Sequence, residues 1–151
     1  MTTPTAHPSI LDSTAFKLHR ATVLLDRIAD DYLLAQHGIR YAPFLVLLMV
    51  RVLGPTTQQA IAANLGVSRA SVTQRVGALA TSGLLRVEKS ETDARANTVV
   101  LTDAGLALVD AAWAGLEQNQ DGTDAGVDEA ALARQLDRLI ENALGIIGGT
   151  R

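Results

Sequence analysis

The sequence predicts a mainly α fold carrying one small β-hairpin, and three observations predict it. Hydrophobic residues make up 48% of the 151 residues while aromatics reach only 3%. The core is therefore built of Leu, Ile, Val and Ala, a mix that suits helices better than a sandwich of short strands. Apolar residues recur at spacings of three and four along most of the chain, the period of an amphipathic helix. That period breaks at two short Val- and Leu-rich runs around a polar loop, which is the pattern of a hairpin. The length is that of one domain, since domains hold roughly 100–200 residues.

The elements follow in order. Residues 1–12, rich in Thr and Pro, read as a loose arm. A helix starts near Ser13, with Leu18, Ala21, Leu25, Ile28, Tyr32 and Leu33 on one face, and Gly38 is its natural stop. A second, apolar helix covers Ala42 to Leu53 and breaks at Gly54-Pro55. Thr56 and Gln59 have capping-box spacing and open a short helix that ends at Gly66. Ser68 is the next N-cap, and Val67 and Val72 are placed to form a hydrophobic staple. The helix it opens runs to about Ser82, buries Val72, Val76 and Leu79, and stops at Gly83. Leu84–Glu88 and Thr98–Leu101 are the hairpin strands, with a charged loop between them. Thr102 caps a further helix that includes Leu106, Val109, Ala112, Trp113 and Leu116. A polar loop from Gln118 to Val127 leads to a last helix starting at Asp128, whose Leu132, Leu136, Leu139, Ile140, Ala143, Leu144 and Ile147 form one stripe.

Composition removes several function classes. The chain has no cysteine, which excludes a disulfide scaffold, a thiolate metal site and a cysteine nucleophile. The longest apolar run, Phe44–Val50, is far shorter than the ~20 residues of a membrane span, and no export signal opens the sequence; a cytoplasmic protein is expected. No P-loop, G-x-S-x-G or H-E-x-x-H pattern occurs, so no catalytic residues are assigned. His7, His19 and His37 are too scattered to suggest a metal site, and no cofactor is expected.

The net charge of -3 hides an asymmetry. No acidic residue lies between Asp31 and Glu88, and residues 40–101 sum to +4 against -7 for the rest. A basic middle between acidic ends is an electrostatic footprint for a polyanion, or a chance distribution on a solvated surface. Within that middle lie two short helices joined by a tight turn, then the hairpin, which is a winged helix-turn-helix arrangement. The second helix of such a unit enters the DNA major groove. Here it exposes Arg69, Ala70, Thr73, Gln74 and Gly77. Arg pairs bidentately with guanine, Gln with adenine, and Thr or Ala methyl groups touch thymine. Ser68 and Ser71 stand at the helix N-terminus, where free amides favour phosphate. Arg75 reads as a phosphate contact or a strut. Lys89 and Arg95 lie in the hairpin loop, and an Arg there suits the negative potential of a narrow minor groove. The bland reading is that these polar side chains solvate an ordinary helix and a charge-balanced loop.

The chain resembles the MarR family of winged-helix transcription regulators over about residues 13–147. His37-Gly38-Ile39, the segment from Gln59 to Val76, and Asp93 and Arg95 followed by Leu101-Thr102 and Gly105 are similar to the family's motifs. The resemblance implies a single MarR-like domain with a DNA-binding core over about 42–104 and dimerisation helices over about 13–38 and 103–147. It implies a homodimer reading palindromic double-stranded DNA as a repressor, with Ser68, Arg69, Ser71, Thr73, Gln74 and Arg75 on the reading helix and Arg95 on the wing tip. Members often carry an acidic residue where this chain has Gly77, one that can pair with a wing Arg; its loss implies a wing that is held differently or is more mobile. The family often binds an anionic or aromatic effector between the dimer helices and the winged unit. His19, Tyr41, Met49 and Trp113 are the candidates for such a pocket, each with an ordinary packing or surface role as the alternative. The rival readings are a winged-helix protein-interaction module and a small-molecule binding protein without DNA binding.

Overall fold

The first helix, α1 (Thr14–His37), forms where the stripe predicts it, and both of its ends are specified locally. A computed structural model of the chain describes residues 9–92, 97–119 and 121–149. Most of the loose arm expected over residues 1–12 lies outside the described residues; Ile10–Asp12 form a 3₁₀ turn capped by Ser9. The Ser13 hydroxyl accepts the Phe16 N–H at 3.2 Å, satisfying one orphan donor of the first turn. At the other end Gly38 takes the left-handed conformation, φ 66°, that closes a helix most cheaply when no Cβ is present.

The second helix, α2 (Tyr41–Leu53), has Arg40 as its N-cap, a residue that makes no capping hydrogen bond of its own. Asp30, on α1, supplies the cap instead. Its Oδ1 accepts the Tyr41 N–H at 2.8 Å and its Oδ2 pairs with Arg40 Nη1 at 2.7 Å. A carboxylate at a helix N-terminus also complements the helix dipole. These bonds to Tyr41 and Arg40 hold the Asp30 carboxyl below its ordinary pKa.

Phe44, Val46, Leu47 and Val50 of α2 are buried, and Leu48 and Met49 pack partly against the same core. Around α2 lie α1, α3 (Gln58–Leu65), α4 (Arg69–Thr81) and a strand of the sheet. These elements contribute Leu33, Ile61, Val72, Val76, Leu79 and Val99 to the core. Fully burying such a side chain contributes about 1.5–3 kcal/mol, so α2 is the element on which the unit is assembled.

The capping box expected at Thr56 and Gln59 forms one residue later and only in part. Thr57 is the N-cap of α3, its hydroxyl accepting the Ala60 N–H at 3.1 Å. Ala60 has no side chain to reach back, so the reciprocal bond is missing. Thr56 and Thr57 together form a short strand, β1, antiparallel to the hairpin, and α3 begins directly after it at Gln58. The sheet therefore has three strands, in the order β1-β3-β2, with β2 (Leu85–Glu88) and β3 (Thr98–Leu101) paired from Leu85–Leu101 to Glu88–Thr98. At α4 the expected cap is present: Ser68 Oγ accepts the Ser71 N–H at 3.1 Å, and Val67 packs on the core that buries Val72.

Thr102 ties the base of the hairpin to α5 (Asp103–Gln118). Its hydroxyl donates to the Gly83 carbonyl oxygen at 2.6 Å and accepts the Gly105 N–H at 3.1 Å, while its own N–H reaches the Leu84 carbonyl. Gly105 is buried against that strand entry, and a Cβ there would collide with the Leu84 carbonyl oxygen. The spacing of Thr102 and Gly105 thus has a steric cause.

The chain divides into two units, residues 1–117 and 118–151. In the second, Asp121 organises the turn by accepting the N–H and hydroxyl of Thr123 at 2.9 and 2.6 Å. Asp128 caps α6 (Glu129–Gly148) by accepting the Ala131 N–H at 3.0 Å. The helix buries no residue, and Leu139, Ile140, Leu144 and Ile147 are exposed.

Two glycine substitutions should have opposite signs. Gly105→Ala should lower stability by about 1–3 kcal/mol through overpacking, whereas Gly77→Ala, whose Cβ meets nothing within 4 Å, should raise it by up to about 1 kcal/mol. Urea midpoints at constant slope measure both; equal effects at the two sites would contradict the packing described. Asp30, with a lowered native pKa, contributes stability that is present above its unfolded pKa and lost as pH falls through its folded value. The thermal midpoint should therefore drop below about pH 4, and Asp30→Asn should lower it at neutral pH and flatten that dependence.

Candidate nucleic-acid interface

The burial of Val72, Val76 and Leu79 fixes the orientation of α4. Helical periodicity then leaves Ser68, Arg69, Ala70, Thr73, Gln74 and Gly77 exposed, with Ser71 and Arg75 half-buried. The helix has no acidic residue in its first turn, and its first amides have no intrahelical acceptor. Thr73 is engaged within the unit. Its Oγ1 lies 2.6 Å from Gln58 Oε1, at the start of α3, and 3.0 Å from the Arg69 carbonyl oxygen.

The structure redistributes the charge read from the sequence. The ion pairs among the described residues are Arg40–Asp30, Arg51–Asp110 and Arg86–Glu88, at 2.7, 2.9 and 2.9 Å. All three arginines belong to the basic middle of the chain, so part of its apparent +4 is neutralised locally by carboxylates inside and outside that window. Arg69 and Arg75 of α4, and Lys89 just beyond β2, form no ion pair among the described residues. Within the basic middle, the described cations left without a carboxylate are thus those on α4 and at the root of the hairpin loop; Lys17, Arg20 and Arg27 of α1 and Arg134 and Arg138 of α6 are likewise unpaired among the described residues. Within that loop Thr92 donates its N–H to Ser90 Oγ at 3.4 Å. Arg95 and Asp93 lie outside the described residues.

The four pocket candidates do not come together in one described cavity. Trp113, 45% exposed, lines a groove of about 520 Å³ between α2 and α5 with Leu48, Arg51, Val52, Val109 and Asp110. Across this groove Arg51 Nε donates to Asp110 Oδ1 at 2.9 Å. Tyr41 and Met49 pack half-buried against the core, and His19 is exposed on α1; none of the three lines this groove. Burial first, and Asp26 second, raise the Tyr41 pKa. Arg51 and Asp110 carry the polar chemistry of the groove. Sequence reasoning had no signal for them, because they stand 59 residues apart on different helices. Gln58 escaped notice for the same reason. Among the described residues no three His, Asp or Glu side chains form a metal-binding group, and no single helix is long and apolar enough to cross a membrane.

Comparison with known proteins bears on this geometry. The sequence model of the MarR family matches residues 37–96, from the end of α1 through the hairpin loop. No curated protein matches the chain in sequence. Solved structures match in fold. A MarR-family transcriptional regulator from Rhodococcus sp. RHA1 is 20% identical, with a TM-score of 0.78 over 88% of this chain and 95% of that one. BpsR from Bordetella bronchiseptica is 23% identical, with a TM-score of 0.76 over 91% and 97%. A mutant MarR from E. coli complexed with operator DNA is 22% identical, with a TM-score of 0.70 over 83% and 91%.

Ser68 links the exposed face to the stability of α4. Ser68→Ala should cost about 1 kcal/mol, the usual value of an N-cap, and Ser68→Asp or Ser68→Asn should restore most of it. Chemical denaturation of the three variants measures this; an Ala variant as stable as the parent would mean that the cap does not hold the helix.

Proposed function

We propose that this chain, whose residues 37–96 match the MarR family and whose fold is that of MarR-family regulators, is a sequence-specific DNA-binding transcription regulator, and that it acts as a repressor. The observation that carries this reading is α4. It presents Arg69, Thr73 and Gln74 outward, its arginines form no ion pair among the described residues, and its opposite face is buried through Val72, Val76 and Leu79. In the mechanism, Arg75, Lys89 and the N-terminal turn of α4 at Ser68 and Ser71 engage phosphates and release counterions, which supplies affinity without sequence preference. Arg69, Ala70, Thr73 and Gln74 select bases in the major groove. Arg95 reaches the minor groove from the hairpin loop.

Residues 13–147 act as one MarR-like domain that forms a homodimer on a palindromic operator, with half-sites about 34–36 Å apart. The exposed Leu18 and Leu25 of α1 and Leu139, Ile140, Leu144 and Ile147 of α6 support the dimer, because monomers rarely expose such apolar surface. A small organic anion with an apolar body is the effector class proposed for the groove at Trp113, where it would take the place of Asp110 on Arg51 beside aliphatic and aromatic surface. It would relieve repression by favouring a dimer whose reading helices are wrongly spaced. DNA binding by BpsR is regulated by 6-hydroxynicotinic acid, and CouR from Rhodococcus jostii RHA1 is bound to p-coumaroyl-CoA in its structure; both are in keeping with this class.

Duplex binding measured against salt tests the reading. Affinity for the protein's own upstream region should fall steeply and log-linearly with salt. Arg69→Ala combined with Arg95→Ala should weaken it at least tenfold, given about 1–3 kcal/mol for a bidentate base contact. Failure to bind any duplex at low salt would sink the proposal and favour an interaction module.

A further inference from the structure

We propose that Gln58 acts as a specificity-positioning residue: by holding the hydroxyl of Thr73, it leaves α4 to present a methyl group at that point and so to select a thymine. This rests on the reading that α4 enters the major groove. A threonine on a reading helix has two recognition groups. Its hydroxyl both donates and accepts and therefore suits several base edges, whereas its methyl suits the C5-methyl of thymine. Here the hydroxyl donates toward two acceptors, Gln58 Oε1 at 2.6 Å and the Arg69 carbonyl oxygen at 3.0 Å, which together occupy its single proton. Its lone pairs can still accept, but it has no proton left for thymine O4, so toward a thymine only the methyl remains.

Gln58 is suited to this task. It is the first residue of α3 and is half-buried, so its side chain has less freedom than that of an exposed glutamine. Thr73 itself is exposed. Its neighbours on the same face, Ala70 one turn before and Gly77 one turn after, are small, and nothing fills the space beside Gly77. A base-pair edge can therefore come close to the Thr73 methyl while Arg69 and Gln74 flank the contact. The bond between Gln58 and Thr73 joins the two helices of the helix-turn-helix, so a residue of the bracing helix sets what the reading helix displays.

The test uses the full chain and a duplex selected by it from random DNA. Each thymine of a half-site is replaced in turn by deoxyuridine, which removes only the methyl. One position per half-site should lose about fourfold in affinity, the worth of one buried methyl group. Thr73→Ser should abolish that loss, and Thr73→Val, which keeps a methyl, should retain it. Gln58→Ala should reduce the discrimination and admit other bases at the same position. Gln58→Glu keeps an acceptor for the hydroxyl, so it should weaken all duplexes while preserving the discrimination. A half-site with no deoxyuridine-sensitive thymine, or sensitivity that survives in Thr73→Ser, overturns the proposal. Discrimination unchanged in Gln58→Ala overturns the part assigned to Gln58. If the chain enriches no duplex at all, the DNA-reading function itself fails, a result distinct from the others.

Discussion

The first unit of the chain is organised by the need to cover α2. Phe44, Val46, Leu47 and Val50 are buried, and Leu48 and Met49 are half-buried between them, so the helix is apolar around most of its circumference. A helix of that kind has to be enclosed on several sides. It is enclosed by α1, α3, α4 and β3. Placing Val72, Val76 and Leu79 against this centre determines which face of α4 turns outward. The polar face turns outward because the opposite side is committed to α2, and its proposed use in recognition rests on that packing.

Two small polar assemblies locate the elements around α2. Asp30 caps α2 from α1 and so sets the corner between them. Thr102 bonds to the Gly83 carbonyl and to the Gly105 N–H, which joins the turn after α4, the hairpin base and the start of α5. Gly105 permits the close approach to Leu84. Both assemblies lie at the edges of the core and control direction, whereas the apolar cluster supplies most of the stabilisation. The electrostatics follow a related division. Arg40, Arg51 and Arg86 are paired with carboxylates, leaving Arg69 and Arg75 on α4 without such partners among the described residues. Local pairing therefore sharpens a diffuse basic region into a charged face.

Much of this was legible in the sequence because it is local. Ser13, Gly38, Ser68, Gly83 and Asp128 act on backbone groups within a few residues, as does Thr102 in its bond to the Gly105 N–H, and the period of three and four identifies the buried stripes. What the sequence left open is long-range. The strand at Thr56–Thr57 exists only because β3 lies beside it, and the cap of α3 falls on Thr57, one residue after the expected Thr56. The Arg51–Asp110 pair and the Gln58–Thr73 bond join residues 59 and 15 positions apart. No periodicity reports such contacts. Of the pocket candidates, Trp113 lines the groove between α2 and α5, and Tyr41 and Met49 pack against the core; a lone aromatic or Met in sequence does not distinguish these roles.

In the proposed function, α4 is the element that meets DNA. Backbone amide resonances of the full chain, followed by NMR during addition of a duplex that the protein has selected from random DNA, test this most directly. The account predicts that the largest shifts fall on Ser68 to Gly77, with further shifts at Lys89 beside the hairpin loop and little change along the buried face of α2. Shifts confined to α5 or α6, with the amides of Ser68 to Gly77 unmoved in the bound state, would contradict it.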